Sequence, residues 1–514
     1  MNGAESLVKT LLGGGVDVCF TNPGTSEMHF VAALDAHADM RCVLGLQENI
    51  VTGAADGYAR MTGKPAATLL HCGPGLGNGF ANIHNARRSD TPMVNIVGDQ
   101  ATYHREYDAP LTTDVEAVAG ATSHWVRDCI SSKRVASDAA DAIREANTAP
   151  GRIATLILPA DTAWGAADGP AETMAPPAPP LPDGRTVNPI ARILRSEGQA
   201  VLFLGGDALT EEGLQMAARI AQATGSQLLA QMSNARVERG AGRVPVDRLP
   251  YPVDKALERL APYRHMVLIG AKDPVAFFAY PGKPSALRPK GCKLHPLAQP
   301  GDDVLGALEA LAEQLGVADD PVTTAGLHQP PVPAGPLDPD VIAAAVASAI
   351  PENAIVVDEA ITTGRAFFPP TFHAQPHSWL QINGGAIGIG MPLAAGAAIA
   401  CPDRPVLTLE ADGSGMYTPQ ALWTQAREGL NVTTVVFSNR SYQILLGEMA
   451  GVGVESPGPK ALDMLELDRP PLDWPSLARG MGAEAGLAED GETLVREIER
   501  GFACEGPYVI EARL

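Results

Sequence analysis

Residues 405–444, PVLTLEADGSGMYTPQALWTQAREGLNVTTVVFSNRSYQI, decide the fold. Two apolar runs, PVLTL and TTVVF, each end in small or polar residues, and a longer segment separates them. Short apolar runs with such endings are typical of buried parallel strands. The stretch therefore predicts a strand, a helix and a second strand of one parallel sheet, with Asp412 after the first strand and Asn439 after the second.

The same alternation continues outward through the whole chain. Apolar runs such as VDVCF, AVLFLGGD and AIVVDEA alternate with stretches of helical spacing that end in glycine, such as residues 4–15 and 211–225. Two proline-rich stretches, residues 174–184 and 328–340, are typical of surface linkers, because proline removes backbone donors and favours extended structure. We predict three α/β domains with doubly wound parallel sheets, at residues 1–173, 185–327 and 339–514.

The amino-acid composition limits the classes of molecule that the chain can bind. The 514 residues include 38 basic and 59 acidic side chains, so the formal net charge is −21, and 45% hydrophobic residues are enough for several cores. An acidic chain is a poor partner for nucleic acid or an anionic membrane surface, because phosphate contacts need basic side chains. Any anionic ligand must therefore be held by local features, such as a helix N-terminus or a metal ion.

The cysteines and the N-terminal residues indicate the cellular compartment in which the protein is expected. The seven cysteines form an odd set without a CxxC pair, which is typical of a reduced compartment. The start, MNGAESLVKTLL, lacks the basic segment and long apolar run of a signal peptide. No uninterrupted apolar stretch reaches the roughly 18 residues of a transmembrane helix, and IGIGMPLAAGAAIA (387–400) is predicted to be a buried helix. We expect a cytoplasmic globular protein with no membrane partner.

Asp412 and Asn439 are candidate ligands of a metal ion. Side chains that follow neighbouring parallel strands meet at one edge of the sheet, where they can converge on one hard cation. Mg²⁺ prefers oxygen ligands and shares them with phosphates. Gly413 and Gly415 allow a diphosphate to approach the backbone closely at a helix start. The alternative is that Asp412 only caps this helix.

This segment resembles the thiamine diphosphate (ThDP) enzymes, in which a GDG motif is followed, after a helix and a strand, by NN. Two positions depart from that pattern, since Ala411 replaces the first glycine and Ser438 the first asparagine. The resemblance implies ThDP and Mg²⁺ as cofactors. It also implies that Asp412, Asn439 and the backbone carbonyl of Ser441 are the protein ligands of the metal.

The resemblance assigns further cofactor contacts. Ile387 takes the place of the apolar wedge under the cofactor, the alternative being an ordinary core residue, and the Gly385 carbonyl would accept from the aminopyrimidine. The predicted cofactor-binding residues are Glu48, Gly385, Ile387, Asp412, Gly413, Ser414 and Asn439.

Glu48 is the predicted activating carboxylate. It opens the segment Glu48–Arg60, which has the form E-x(7)-DGYAR and resembles the same family. A lone glutamate at a helix start is otherwise a favourable dipole contact. In the resembled enzymes the matching glutamate protonates the pyrimidine of ThDP held by the partner subunit. This implies a homodimer or homotetramer with active sites at the interface, in which the first domain binds the pyrimidine and the third the diphosphate.

Residues near the reacting carbon indicate the branch of the family. NPGTSE (22–27) resembles a benzoylformate decarboxylase segment, which makes Thr25 a substrate contact, and His71 matches a proton-donating histidine of that enzyme. The alternative for His71 is a buried structural imidazole. CGPG (72–75) and DGYARMTGKP (56–65) look equally like acetolactate synthase. A second histidine of the decarboxylase has no counterpart in residues 270–283, where Phe277, Phe278 and Tyr280 indicate a more apolar pocket.

The predicted function is a ThDP- and Mg²⁺-dependent decarboxylase or carboligase that acts on small 2-oxo acids, with Glu48, His71 and Thr25 as catalytic residues. The alternatives are an acetolactate synthase-type transferase and, from another class, a catalytically silent nucleotide-binding or scaffold protein. The central domain resembles one that some relatives use for FAD. Its Gly205-Gly206-Asp207 turn lacks a GxGxxG fingerprint, so we favour a structural role over FAD binding.

Overall fold

Three β-sheets with helices packed against them organise the chain in the computed structural model, which describes residues 1–196 and 198–514. The sheets have six, four and seven strands, and their pairing is predominantly parallel. The α/β class with three parallel-dominated sheets is therefore confirmed.

The first sheet is entirely parallel. Its strands are β1 (Val18–Thr21), β2 (Arg41–Leu44), β3 (Ala66–Leu70), β4 (Met93–Asp99), β5 (Trp125–Asp128) and β6 (Ile153–Pro159). Its helices are α1 (Gly3–Gly13), α2 (Met28–Asp35), α3 (Glu48–Thr62), α4 (Cys72–Arg88), α5 (Val115–Thr122), α6 (Val135–Ala146) and α7 (Ala160–Trp164). The strand order is β2-β1-β3-β4-β6-β5, so the chain reverses its direction across the sheet between β1 and β3.

The middle of the chain forms a four-stranded parallel sheet. The strands of this region are β7 (Ala200–Leu204), β8 (Gln227–Ala230), β9 (Arg236–Arg239), β10 (His265–Ile269) and β11 (Lys293–Ala298). The helices are α8 (Gly184–Ser196), α9 (Glu211–Thr224), α10 (Val253–Leu260) and α11 (Val304–Leu315). The sheet order is β11-β10-β7-β8. The predicted helix over 211–225 ends at Gly225, which adopts the left-handed conformation with φ +71°.

The third sheet combines six strands of the last part of the chain with β9. These six are β12 (Ala354–Glu359), β13 (His377–Gln381), β14 (Val406–Ala411), β15 (Val432–Ser438), β16 (Glu484–Ala488) and β17 (Tyr508–Arg513). The helices are α12 (Pro339–Ala349), α13 (Gly390–Ala400), α14 (Asp412–Gly415), α15 (Ala421–Arg427), α16 (Gln443–Gly451), α17 (Pro459–Asp463), α18 (Trp474–Gly480) and α19 (Gly491–Ala503). The order is β16-β17-β15-β14-β12-β13-β9.

Strand β9 departs from the expected all-parallel sheets. It belongs to the middle of the chain, yet it pairs antiparallel with β13 in the third sheet. Arg239 fixes it there: its guanidinium carbon lies 3.5 Å from the ring centroid of Phe368, and it donates to Thr371 Oγ1 at 2.9 Å. This strand could not be predicted from the sequence, because RVER is short, charged and without an apolar run.

Helices α3 and α13 join the first and third parts of the chain at very close range. A Cβ at Gly57 would lie 2.0 Å from the Leu393 carbonyl oxygen, so only glycine permits this contact. One turn later, the buried Arg60 pairs with Asp56 at 2.6 Å and donates to the Gln381 carbonyl at 2.7 Å. The DGYAR motif therefore locks the two parts together and fixes the direction of α3, which begins at Glu48.

The predicted buried helix also appears in the structure. α13 covers most of residues 387–400, and its side chains are almost all buried. None of the helices in residues 1–196 and 198–514 has the length and apolar character needed to cross a bilayer. No regular element lies between Trp164 and Gly184, whereas α12 begins at Pro339, inside the second predicted linker. The domain boundaries at these linkers remain a prediction.

Candidate active site

Six of the predicted site residues line one cavity at the carboxyl edge of the third sheet: Ile387, Asp412, Gly413, Ser414, Asn439 and Ser441. Asp412 directly follows β14, Asn439 directly follows β15, and the two strands are parallel neighbours. The strand–helix–strand arrangement predicted for residues 405–444 is thus present. The structure brings the three predicted metal ligands to one place, while their role as ligands remains a prediction.

Backbone donors hold the Asp412 carboxylate in place. One oxygen accepts from the Gly413 N–H at 2.9 Å and the other from the Arg440 N–H at 2.6 Å. The amide oxygen of Asn439 accepts from the Ser441 N–H at 3.0 Å, and Arg440 between them adopts φ +55°. Burial raises the pKa of Asp412 to about 6, because the charged form loses hydration. A cation bound beside it would favour the charged form.

The structure shows the backbone conformation and burial at the two positions that depart from the family pattern, Ala411 and Ser438. Ala411 lies in extended backbone, with φ −90° and ψ 147°, which alanine adopts as readily as glycine. Gly413, by contrast, has no room for a side chain, since a Cβ there would lie 2.4 Å from Tyr442 Cε1. The side chain of Ser438 is buried at the end of β15. The replacement at Ala411 therefore leaves the position of Asp412 intact.

The chemistry of this cavity fits Mg²⁺ and a diphosphate. Its polar lining offers carboxylate, amide and hydroxyl oxygens, the kind of ligand that Mg²⁺ prefers. Among the described residues that line it, none has a cationic side chain. A diphosphate here would depend on a metal for charge compensation, which agrees with the net charge of −21.

The loop with Gly385 and Ile387 is held by helix α4. The amide of Asn85 donates to the Ala386 carbonyl at 2.7 Å, and the amide of Asn82 donates to the Gly388 carbonyl at 3.2 Å. Gly385 adopts φ +82°, and a Cβ there would lie 2.5 Å from Phe277 Cζ. Ile387 lines the cavity of Asp412, whereas Gly385 lies outside its lining and against the aromatic ring. Phe277, one of the three predicted aromatic residues of the central region, thus lies against the loop that carries Gly385 and Ile387.

Two buried carboxyl groups lie beneath this cavity and were not predicted. Glu359, at the end of β12, accepts from the Gly388 and Gly390 N–H groups at 2.8 and 2.5 Å. Glu410 hydrogen-bonds to Glu359, and Ser414 donates to Glu410. Burial raises the pKa of both carboxyl groups, and the neighbouring Glu359 charge raises that of Glu410 further. We interpret Glu410 as the protonated partner, which donates to Glu359 while the backbone N–H groups stabilise the Glu359 charge.

The half-buried His71 and the buried Glu27 form a pair beside the first sheet. His71 follows β3 and directly precedes α4, and its Nδ1 lies 3.0 Å from both carboxylate oxygens of Glu27. Because a carboxylate only accepts, the Nδ1 atom is the donor, and Nε2 is left for a substrate. Glu27 also accepts from the Gly24 N–H at 2.7 Å and from the Ser26 hydroxyl. The pair fixes the tautomer and stabilises a protonated imidazole.

Three glycines make room for this pair. A Cβ at Gly24 would lie 2.2 Å from the His71 ring, and one at Gly98 would lie 1.7 Å from Glu27 Oε1. A Cβ at Gly75 would lie 2.8 Å from Glu48 Oε1 and 3.2 Å from His71 Cβ. The close fit shows that the imidazole and both carboxylates are positioned by packing and not by hydrogen bonds alone.

A second cavity, of about 310 Å³, opens beside His71. Thr25 and Ser26 line it from the loop after β1, and His71 and Cys72 line it from the start of α4. Further lining residues are Asp99, Gln100, Ala101, Tyr103, His104, Leu111, Ala160 and Trp164. The structure therefore brings Thr25 and His71 together, as the predicted substrate site requires.

Glu48 lies beside Gly75, close to His71, but lines neither of the two cavities. It is the first residue of α3 and is 6% exposed. Its Oε2 accepts from the Asn78 amide at 3.0 Å, and Gly75 is the neighbour that it shares with His71. Within one chain, Glu48 thus belongs to the His71 side of the site and stands apart from the lining of the Asp412 cavity.

Glu27 and Asp99 are the functional candidates that the sequence analysis missed. Glu27 stands in the quoted NPGTSE segment, but its pairing with His71 depends on the adjacency of β1 and β3. Asp99 ends β4 and accepts from Arg105 at 2.7 Å, and burial raises its pKa. A signal was present in both cases, since each is an acidic residue at or just beyond the carboxyl end of an apolar run.

The Gly205–Asp207 turn borders a third cleft, of about 900 Å³. Gly206 and Gly270 face it from the ends of β7 and β10, where the central sheet reverses direction, and Arg60 and Lys272 are also among its lining residues. The geometry alone does not assign a ligand to it. The preference for a structural role over FAD remains a prediction.

Comparison with known proteins places the chain in a family. The thiamine pyrophosphate enzyme N-terminal TPP binding domain matches residues 1–122, and the C-terminal TPP binding domain matches residues 366–512, together more than half of the chain. Thiamine pyrophosphate is another name for ThDP. The fold and the two cavities, with these matches, define a ThDP-dependent enzyme. The chain belongs to the thiamine pyrophosphate enzyme family, on the branch of acetolactate synthase and benzoylformate decarboxylase.

Individual relatives cover nearly the whole chain. It is 51% identical over 518 residues to the "Putative acetolactate synthase large subunit IlvX" of Mycobacterium tuberculosis, covering 99% of this chain and 98% of the relative. It is 29% identical over 525 residues to benzoylformate decarboxylase of Pseudomonas aeruginosa, covering 97% and 96%. The ThDP-dependent 4-hydroxybenzoylformate decarboxylase of Rhodococcus jostii RHA1 has the same fold, with a TM-score of 0.87, 24% identity and 100% and 99% coverage.

Proposed function

We propose that the protein is a Mg²⁺- and ThDP-dependent decarboxylase or carboligase of small 2-oxo acids. The observation that carries the proposal is the Glu27–His71 pair at the cavity lined by Thr25, because it presents an imidazole with a fixed tautomer to a bound substrate. Histidine changes its charge near neutral pH and is therefore suited to give a proton to a reacting carbon.

ThDP, when bound, supplies the nucleophilic carbon and the electron sink that loss of carbon dioxide from a 2-oxo acid requires. Asp412, Asn439 and the Ser441 carbonyl would hold Mg²⁺ against its diphosphate, with Gly413 and Ser414 as further contacts. Ile387 would support the cofactor from below, and the Gly385 carbonyl would accept from its aminopyrimidine.

The remaining residues of the site would move protons and bind the substrate. Glu48 would protonate the pyrimidine ring and so generate the base within the cofactor. Thr25 would donate to the substrate carboxylate, and Glu27 would stabilise the protonated His71. Phe277 lies against Gly385 and Phe278 packs against Phe277; the two rings are 42% and 58% exposed and support a substrate with an apolar side chain.

We further propose a homodimer as the minimal active unit, with a homotetramer as the alternative. Glu48 lies with His71 and not in the lining of its own Asp412 cavity, which supports a site completed by the partner subunit. The cytoplasmic location is also part of the proposal, supported by seven cysteines that are all free thiols.

The test is a panel of aliphatic and aromatic 2-oxo acids, supplied with ThDP and Mg²⁺ and followed by product analysis. We expect carbon dioxide release that depends on both cofactors and is lost when EDTA removes the metal. Absence of turnover across the panel would refute the proposal. Absence of turnover together with absent C2-proton exchange in bound ThDP would favour the silent nucleotide-binding or scaffold alternative.

An acetolactate synthase activity is the second candidate. It is favoured by the 51% identity to a relative with that name and by the CGPG segment, residues 72–75, next to His71. Pyruvate as the sole substrate separates the two functions. Acetolactate as the main product would assign the carboligase reaction, and acetaldehyde would assign the decarboxylase reaction.

A further inference from the structure

Cys72 adds a sulfur atom to the Glu27–His71 pair. It is the first residue of α4, it is 1% exposed, and it lines the same 310 Å³ cavity as His71. The Cys72 sulfur, one carboxylate oxygen of Glu27 and one ring nitrogen of His71 all lie within 4.8 Å of one another. Ser26 Oγ lies between them, 3.3 Å from the sulfur and 3.4 Å from His71 Nδ1.

We propose that Glu27, His71 and Cys72 form a binding site for a borderline or soft divalent cation of the Zn²⁺ or Cd²⁺ type. Thiolate, imidazole and carboxylate are the ligands that Zn²⁺ takes in proteins, at about 2.3 Å for sulfur and about 2.0–2.2 Å for nitrogen and oxygen. Ligand atoms within 4.8 Å of one another can reach these distances through small side-chain rotations. The cavity leaves the fourth position open to water.

Charge and proton balance support the site. A divalent cation with the Glu27 carboxylate, the Cys72 thiolate and a neutral His71 has no net charge, which lowers the cost of burying the ions. The cation replaces the Cys72 thiol proton, which is released to solvent, as at other thiolate sites.

The site would be separate from the proposed Mg²⁺ site. The described residues that line the Asp412 cavity include no cysteine or histidine, so that cavity offers only oxygen ligands and suits a hard cation. A cation at Cys72, by contrast, occupies the atoms with which Glu27 and His71 would handle protons. The predicted consequence, which rests on the proposed function, is reversible inhibition by Zn²⁺ or Cd²⁺ that excess Mg²⁺ does not relieve.

Binding is measured first, independently of activity. The full-length protein, saturated with ThDP and Mg²⁺, is titrated with Cd²⁺ while the ultraviolet thiolate-to-cadmium charge-transfer band is followed. We expect one Cd²⁺ per chain, and a ¹¹³Cd resonance in the range for one sulfur with nitrogen and oxygen ligands. Cys72→Ser should remove the band and weaken binding by about tenfold or more, since loss even of a residue that only supports a metal ligand has effects of this size. The matched control is Cys42→Ser, which removes an exposed thiol and should leave the stoichiometry unchanged.

Each outcome decides the question. A charge-transfer band that persists in Cys72→Ser, or a wild-type ¹¹³Cd shift without a sulfur ligand, would overturn the site. The wild-type shift also decides the case in which Cys72→Ser fails to fold. Tight Cd²⁺ binding at Cys72 in a protein that turns over no 2-oxo acid would support the metal site and refute the proposed function. Turnover of a 2-oxo acid that Cd²⁺ leaves unchanged, with no charge-transfer band, would support the proposed function and refute the metal site.

Discussion

Replacing Glu27 by glutamine tests the proposed role of the Glu27–His71 pair. The Glu27 carboxylate accepts from His71 Nδ1, from the Gly24 N–H and from the Ser26 hydroxyl. Glutamine has nearly the same shape but offers one oxygen and one donor group. Gly98 packs directly against the carboxylate, so the amide cannot turn away from these three donors. The variant thus removes the negative charge that stabilises a protonated imidazole.

The expected loss follows from what this charge does. A positioned acid–base group contributes about 10²–10⁴-fold to a rate, so we expect kcat to fall by about that factor. This corresponds to about 3–5 kcal/mol of transition-state stabilisation. ThDP affinity should change little, because Glu27 does not line the Asp412 cavity.

The assay is steady-state turnover of the best 2-oxo acid, with ThDP affinity measured by fluorescence and folding by circular dichroism. Ser26→Ala is the control, because it removes one hydrogen bond to Glu27 and keeps the charge. A folded Glu27→Gln protein that retains kcat within about threefold, a barrier change below about 1 kcal/mol, would refute the reasoning.

Three further predictions concern the framework around the site. Glu48→Gln should cut activity severely and leave the far-ultraviolet circular dichroism unchanged, whereas near-normal turnover would contradict the proposed activation step. Asp56→Ala should lower the free energy of unfolding by about 3–5 kcal/mol in chemical denaturation, because it leaves the buried Arg60 without its partner; a loss below about 1 kcal/mol would contradict this. Burial and the nearby Arg239 lower the pKa of His377 to about 3. As the pH falls, the unfolded chain therefore binds a proton at His377 before the folded chain does. The free energy of unfolding should decrease by up to about 1.4 kcal/mol per pH unit as the pH drops from about 6.5 towards 3. His377→Gln should flatten this slope in unfolding curves measured at several pH values, and an unchanged slope would assign the acid sensitivity to other groups.

The sequence predicted the features that depend on neighbours in the chain. Asp412 and Asn439 follow consecutive strands with a single crossover between them, so their convergence required only the strand–helix–strand assignment. The buried helix α13 was predicted from composition in the same way. Strand β9 was not predicted, because Arg239 is held by Phe368, which is far away in the sequence, and not by any pattern in its own segment. The Glu359–Glu410 pair was missed for a similar reason, since each carboxyl group lies in an ordinary strand of its own.

Strand order explains which long-range pairs form the site. In the first sheet the chain passes from β1 to β2 on one side and to β3 on the other, so the loops after β1 and β3 flank the reversal and carry Glu27 and His71. In the third sheet the reversal lies between β12 and β14, which end at Glu359 and just before Asp412. Such reversals open a crevice at the carboxyl ends of the strands, where loops on either side diverge. The sequence identified the strands but not their order. The order makes β1 and β3 neighbours, and this adjacency is what brings Glu27 into contact with His71.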